Sequence, residues 1–73
     1  MGFEIGKYVE RIIGDTLKEP GRYDSKNIIK EIHLIAATLD ERYPTNEECW
    51  GILAEVLHSG EITIKDGKLY PKD

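Results

Sequence analysis

The chain has 73 residues, of which 40% are apolar and 33% are charged, and its formal net charge is −4. This length makes one small domain near the lower limit for folding without disulfides or metals, so nearly every apolar residue must be buried. The net acidity argues against nucleic acid as the main partner, since phosphate contacts dominate such binding, but it leaves room for a local basic patch.

No sequence pattern indicates a metal, a cofactor or a catalytic residue. The single cysteine, Cys49, rules out an intramolecular disulfide and is expected to be a small core residue. The two histidines, His33 and His58, lack the further ligands at suitable spacing that a zinc site needs. A phosphate-binding glycine loop, a nucleophile elbow and a Cys–His pair are also missing, so we expect a non-enzymatic protein.

The sequence also lacks the signals of a membrane protein or a secreted protein. No apolar run approaches the roughly 18 residues that cross a bilayer, and no signal-peptide pattern opens the chain. A soluble, cytoplasmic protein is therefore expected.

The first helix is expected over residues 3–18. Apolar side chains from Ile5 to Leu17 recur there at spacings of three and four, which places them on one helical face. Pro20 ends this helix because proline cannot continue it. A polar connection is expected over residues 19–25.

A second helix is expected over residues 26–43, with Asp24 or Ser25 as its N-cap and Pro44 closing it. Its apolar stripe runs from Ile28 to Tyr43. Leu34 falls almost opposite that stripe, as either an ordinary exposed leucine or a contact site.

The third helix is expected to begin after Thr45, which forms a capping box with Glu48 three residues later. Gly60 is expected to stop it. With Leu53 as the centre of the buried face, helical spacing puts four further residues on the core side: Cys49, Trp50, Val56 and Leu57. The opposite side then carries Glu47, Glu48, Gly51, Glu55 and His58.

A β-hairpin follows directly. Asp66-Gly67 between two apolar runs is a strong hairpin signal, because both turn residues accept positive φ. A two-residue loop pairs Lys65 with Lys68, Ile64 with Leu69, and Thr63 with Tyr70. Alternation then directs Ile62, Ile64 and Leu69 to the core, and Thr63, Lys65, Lys68 and Tyr70 outward.

The predicted fold class is α+β, mostly α, with three helices followed by a C-terminal two-stranded hairpin in a single domain over residues 1–73. Residues 45–71 resemble the recognition helix and wing of winged helix-turn-helix domains, and the two earlier helices extend the resemblance over nearly the whole chain. In DNA-binding members of that superfamily the third helix enters the major groove and the wing reaches flanking phosphate.

Two features depart from that pattern. The second helix is expected to be about twice the usual length. The outward face of the third helix carries Glu47, Glu48 and Glu55 and no Lys or Arg, which would be repelled by a groove lined with phosphates. Lys65, Lys68 and Tyr70 of the wing are the candidate nucleic-acid contacts.

Two functions remain open at this point. The first is a small non-enzymatic module that acts through protein–protein contacts, as a regulator or subunit, with Glu47, Glu48, Glu55 and Leu34 as candidate contact residues. The alternative is a DNA-binding transcriptional regulator that contacts the duplex through its basic wing.

Overall fold

The computed structural model describes residues 4–73, so the expected start of the first helix at Phe3 lies outside the described residues. Three α-helices precede a two-stranded antiparallel hairpin, which confirms the predicted fold class. The elements in chain order are α1 (Ile5–Lys18), a 3₁₀ turn (Ser25–Asn27), α2 (Ile28–Leu39), α3 (Asn46–His58), β1 (Ile62–Lys65) and β2 (Lys68–Pro71).

The hairpin forms in the predicted register. Lys65 pairs with Lys68, Ile64 with Leu69, and Thr63 with Tyr70. The two turn residues both have positive φ, 55° at Asp66 and 80° at Gly67, as a type I′ turn requires. The Asp-Gly signal therefore predicts both the turn and the strand pairing correctly.

The connection between α1 and α2 is not a free polar loop, contrary to the sequence prediction. Residues 21–25 run antiparallel beside β2: the Gly21 amide donates to the Leu69 carbonyl at 2.9 Å, and the Leu69 amide donates to the Tyr23 carbonyl at 3.0 Å. The Ser25 amide completes the ladder with a 2.7 Å bond to the Gly67 carbonyl. Because β2 is hydrogen-bonded on both sides, it is the central strand of a small three-stranded arrangement.

The second helix is shorter than predicted. It has 12 residues and ends at Leu39, because Asp40 adopts the left-handed conformation with φ 58°. The next amide, that of Glu41, then bonds back to the Ala36 carbonyl at 3.0 Å and closes the helix end. The predicted helix over residues 26–43 and its supposed double length are therefore wrong, and Pro44 lies four residues beyond Asp40.

The core lies between the three helices and the inner face of the hairpin. α1 packs against α3 and β2, while α2 packs against α3. Tyr23, from the supposed polar connection, is 1% exposed and belongs to this core. The other buried apolar residues are Tyr8, Ile12, Ile28, Ile32, Ile35, Ala36, Cys49, Ile52, Leu53, Val56, Ile62 and Leu69.

Outside α3, three predicted core positions are wrong in this structure. Ile64 is 39% exposed because it lies near the turn on β1, which pairs with no described strand other than β2, whereas its partner Leu69 on the central strand is fully buried. Leu17 is half-exposed near the end of α1. Tyr43 lies beyond the end of α2 and is 60% exposed. None of the described helices is both long enough and apolar enough to cross a membrane.

Candidate partner-binding face

The start of α3 is fixed by its capping box. The Thr45 hydroxyl accepts from the Glu48 amide at 3.2 Å, and the Glu48 carboxylate accepts from the Thr45 amide at 2.8 Å. The same carboxylate accepts two bonds from the Arg42 guanidinium, at 2.9 and 2.8 Å. These Arg42 bonds, with the Thr45 amide, lower the pKa of Glu48 to about 2.

The turn between α2 and α3 is tied to both neighbouring helices. The Glu41 carboxylate accepts from the Tyr8 hydroxyl of α1 at 2.8 Å and from the Lys7 ammonium at 3.3 Å. On the other side, His33 Nε2 lies 2.9 Å from the Pro44 carbonyl oxygen, so this ring nitrogen donates its proton to the carbonyl. These bonds hold α3 at a defined angle to α1 and α2.

Tyr43 lies on the solvent side of the turn between α2 and α3. Its ring stacks on the His33 imidazole, with the ring centroids 4.9 Å apart and the planes 14° from parallel. Tyr43 remains 60% exposed to solvent. The turn therefore presents an aromatic surface immediately before α3.

The buried side of α3 differs from the predicted one. The buried residues are Cys49, Ile52, Leu53 and Val56, and at 100° per residue their centre lies about 50° from Leu53 towards Ile52. Trp50 is then about 110° from the centre of the buried side, which explains why it is 51% exposed. The prediction that Trp50 faces the core is therefore wrong.

The solvent side of α3 is defined here as the α3 outer face: Glu47, Trp50, Ala54, Leu57 and His58. Leu57 is partly buried and the other four are exposed. Trp50, Ala54 and Leu57 are spaced i, i+4, i+7, which aligns them in one stripe along the helix. An apolar stripe with a half-exposed tryptophan is a feature typical of contact surfaces.

The three predicted glutamates do not form one free acidic surface. Glu47 lies on the α3 outer face, and Glu55 is exposed on its flank. Glu48 lies about 100° round the helix from Glu47 and is held by Arg42 and Thr45, so its charge is already neutralised within the molecule. Glu48 is therefore a structural residue of the α3 start.

Leu34 is exposed as predicted, at 56%, but it lies on a different surface. It lines a small groove of about 90 Å³ between α1 and α2, together with Arg11, Arg22, Tyr23, Glu31, Ile35 and Thr38. Arg22 and Glu31 of this lining form an ion pair, and the Asp15 carboxylate accepts from Tyr23 and Arg11. Burial raises the pKa of the Asp15 carboxyl, but the hydrogen bonds from Tyr23 and Arg11, together with the charges of Arg11 and Arg22, outweigh it and lower the pKa overall.

The wing presents a separate surface. Lys65 and Tyr70 line a shallow groove of about 700 Å³ on the outer face of the hairpin, with Thr63, Pro71, Lys72 and Asp73. Lys68 is the cross-strand partner of Lys65 but does not line this groove. Tyr70 leans on Gly21, where an added Cβ would meet its ring at 3.2 Å, so part of the ring is used in packing.

Sequence reasoning missed the exposure of Trp50 and Tyr43. The signal that could have found Trp50 is Ile52, because an isoleucine 100° from Leu53 draws the buried side away from the tryptophan. No such signal exists for Tyr43, since its exposure depends on where α2 ends.

Comparisons of the chain with family models, with curated proteins and with solved structures found no match. Within residues 4–73, no group of three or more His, Cys, Asp or Glu side chains is arranged to hold a metal ion. Among the surfaces of residues 4–73, the α3 outer face and the wing groove are the two stronger candidates, since the groove beside Leu34 holds only about 90 Å³ against about 700 Å³ at the wing.

Proposed function

We propose that this protein is a small non-enzymatic module, winged-helix-like in outline, that acts as a regulator or subunit by docking another protein on the α3 outer face. The observation that carries the proposal is the half-exposed Trp50 on that face. Tryptophan is enriched among residues that dominate binding energy at protein interfaces, because it buries a large area with few rotatable bonds.

The arrangement around β2 supports the winged-helix part of this proposal. Residues 21–25 add a third, antiparallel element to the hairpin, and α2 has an ordinary length for a helix that precedes the turn. In that fold the outer side of the third helix is the usual contact surface. Here the α3 outer face carries Trp50 and Glu47, and no Lys or Arg, where a DNA reader would carry cations.

The rigid mounting of α3 also supports docking. The turn before α3 is held by side-chain hydrogen bonds of Arg42, Tyr8 and His33. A surface that is preorganised in this way loses little conformational entropy when it binds.

The proposal is tested by site-specific photo-crosslinking in the cells that naturally express the protein. A benzophenone amino acid replaces Ala54, in the centre of the α3 outer face, and in a matched control it replaces Lys30, exposed on α2. We expect a discrete protein adduct, identified by mass spectrometry, from position 54 and none of the same mass from position 30. Equal adducts at both positions, or none at position 54, would contradict the proposal.

A second candidate function is DNA binding through the wing, and the groove beside Lys65, Tyr70 and Lys72 favours it. None of Lys65, Lys68 and Lys72 forms a side-chain ion pair with another described residue, so their charges are available to phosphate. Two to four lysines support only weak binding that falls steeply with salt. Titration with random duplex DNA at low and moderate salt decides this point: binding that survives near-physiological salt and disappears in a Lys65→Ala/Lys68→Ala variant would favour the DNA function.

A further inference from the structure

We infer that the outer edge of β1 is a self-association site, where two copies of the chain pair their β1 strands antiparallel about a twofold axis at Thr63. In this register Glu61 of each copy lies opposite Lys65 of the other, and Ile62 lies opposite Ile64. The inference goes beyond the proposed docking function, because the α3 outer face takes no part in this contact. It rests on the direction of the backbone groups, the exposure of Ile64 and the order of the charges along the strand.

The backbone groups of Ile62 and Ile64 point away from β2. In an antiparallel pair, opposing residues alternate between those that bond each other and those whose amide and carbonyl point outward. Leu69 directs both groups to residues 21–23, with bonds of 2.9 and 3.0 Å, so its partner Ile64 belongs to a pair of the second kind. Ile62, two positions earlier, has the same direction. Within the described part of the chain, no other backbone group bonds them at this edge, which is therefore open to a further strand.

Ile64 leaves an apolar side chain exposed at this edge. It is 39% exposed, whereas Ile62 on the same face of the strand is 2% exposed. In the twofold pair, Ile64 of each copy lies opposite Ile62 and diagonal to Ile64 of the other copy, and cross-strand neighbours on one face are close enough to pack together. Association through this edge therefore covers the large apolar side chain that β1 leaves exposed.

The order of charges along the strand makes this edge complementary to itself. Glu61 directly precedes β1, and its carbonyl accepts from the Lys72 amide at 2.8 Å, so the hairpin ladder extends to it. Glu61, Thr63 and Lys65 then share one face, with the acid and the base at equal distances from Thr63. Neither Glu61 nor Lys65 forms an ion pair with another described residue. Lysine on an edge strand ordinarily opposes pairing, but in this register it meets a carboxylate.

The neighbouring registers are less favourable. Outward-pointing residues must face each other, so the axis can lie at Ile62, Thr63 or Ile64. An axis at Thr63 uses the outward groups of both isoleucines in each copy, whereas an axis at either isoleucine uses those of only one within β1. Only the axis at Thr63 sets Glu61 opposite Lys65. A segment of another protein fits this edge equally well only if it has the same order of charges, which a second copy always has.

Sedimentation velocity of the unsubstituted chain measures the association. At about 0.15 M salt the repulsion between two copies of net charge −4 is screened beyond about 8 Å. We expect the average mass to rise from 8.3 kDa towards twice that value as the concentration approaches about 1 mM, and no further, because a twofold contact closes on itself. Over the same range the Ile64 amide should exchange more slowly with solvent, because the Ile62 carbonyl of the other copy then accepts its proton.

Charge-swap variants test the register. Lys65→Glu and Glu61→Lys each replace both ion pairs of the dimer by like-charge pairs, so each should weaken association about tenfold. The two substitutions move the net charge in opposite directions, so a general effect of charge would not weaken association in both. The double swap Glu61→Lys/Lys65→Glu keeps the net charge at −4 and should restore the affinity to within about threefold.

Mixing the two single variants gives a second test. A Lys65→Glu copy facing a Glu61→Lys copy regains two pairs of opposite charge, so the heterodimer should form about tenfold more tightly than either variant associates with itself. Lys30→Glu on α2 matches the charge change of Lys65→Glu at an exposed position and should leave association within about twofold. Trp50→Ala, which truncates the α3 outer face, should do the same, and circular dichroism checks the folding of each variant.

Several results would overturn the inference. A chain that stays monomeric up to about 1 mM has no such site. A dimer that tolerates both single charge reversals, that Trp50→Ala abolishes, or that leaves the Ile64 amide as exchangeable as in the monomer forms through another surface. Equal weakening by Lys30→Glu and Lys65→Glu would show an effect of net charge alone. A folded double swap that associates as weakly as the single variants would refute the register and with it the inference.

Discussion

Thr16 is the one described residue whose buried side-chain oxygen lacks a hydrogen-bond partner. It is fully buried on the inner side of α1, next in the helical stripe after Tyr8 and Ile12. A buried hydroxyl without a partner loses its bonds to water and gains nothing in return. Such a residue is a weak point in the packing of a small core.

Thr16→Val should therefore stabilise the protein by about 1 kcal/mol, since valine keeps the branched shape and removes the unsatisfied hydroxyl. Thr38→Val is the matched control: the Thr38 hydroxyl is exposed and donates to the Leu34 carbonyl at 3.0 Å. Urea unfolding of both variants is the measurement. A loss of stability in Thr16→Val would mean that the hydroxyl has a partner in solution.

Glu48 is the residue whose ionisation matters most to the start of α3. Hydrogen bonds from Arg42 and Thr45 lower its pKa from 4.5 to about 2. A folded-state pKa below the unfolded value means that the ionised group contributes stability above the unfolded pKa. That contribution is lost as the pH falls from 4.5 towards about 2.

Glu48→Gln should destabilise the protein at neutral pH, because the amide oxygen can still accept from Thr45 but no longer carries the charge that holds Arg42. The difference from the unsubstituted protein should shrink as the pH falls through the window between 4.5 and about 2. Urea unfolding at several pH values measures it, with Glu47→Gln as the exposed control. A difference that stays constant down to the acid limit would contradict the assigned role of Glu48.

Among the helices and strands, short sequence patterns correctly predicted the features that depend only on neighbouring residues. Asp66-Gly67 specified the turn and register of the hairpin, and Thr45 with Glu48 specified the start of α3. The end of α2 was missed because Asp40, not a glycine, takes the left-handed conformation there. Aspartate tolerates that conformation, but no neighbouring residue in the sequence indicates that Asp40 adopts it.

The remaining errors depend on contacts between distant segments. Residues 21–25 form strand-like hydrogen bonds only with β2, which lies more than forty positions later in the chain. Their polar composition alone therefore predicted a loop. In contrast, the sequence could have indicated that the centre of the buried side of α3 lies towards Ile52. The exposure of Glu47 and Glu55 could therefore be predicted from the sequence, whereas the Arg42 pair of Glu48 and the exposure of Trp50 were missed.

Gly67→Val tests the hairpin. A β-branched residue resists the positive φ of 80° at this position, so the variant should lose about 1–3 kcal/mol of stability. Gly14→Ala is a useful counterpart, because Gly14 lies inside α1 with nothing within 4 Å of an added Cβ, and it should stabilise by up to about 1 kcal/mol. Thermal or urea unfolding of each measures the effect; equal stability of Gly67→Val and the unsubstituted chain would mean that the type I′ turn is not formed in solution.

In the molecule as a whole, the exposed lysines of the wing and the exposed glutamates of α3 lie on different elements. The wing carries Lys65, Lys68 and Lys72, and the α3 outer face with its flank carries Glu47 and Glu55. In the winged-helix arrangement both surfaces would approach the same DNA, so the acidic helix opposes what the basic wing favours. This opposition is the physical reason to prefer a protein partner.

Charge reversal of the exposed glutamates of α3 should remove that opposition. Glu47→Lys with Glu55→Lys brings the net charge from −4 to zero and leaves the Glu48 capping box and its Arg42 pair intact, so the fold should persist by circular dichroism. Reversing Glu48 as well would break that cap, so it is left unchanged. The double variant should gain a salt-dependent affinity for random duplex DNA that the unsubstituted chain lacks, because lysines then replace two exposed glutamates on the helix that would enter the groove.

The matched control is Glu10→Lys with Glu19→Lys, which gives the same net charge with both substitutions outside α3. If only the α3 variant binds duplex DNA in a salt titration, the position of the charge on α3 matters and the acidic residues there are what excludes DNA. If both variants bind equally, net charge alone accounts for the effect and α3 has no special geometry towards a duplex. Binding by the unsubstituted chain at near-physiological salt, lost in Lys65→Ala/Lys68→Ala, would instead make the wing the functional surface and replace the protein-docking proposal with the DNA-binding one.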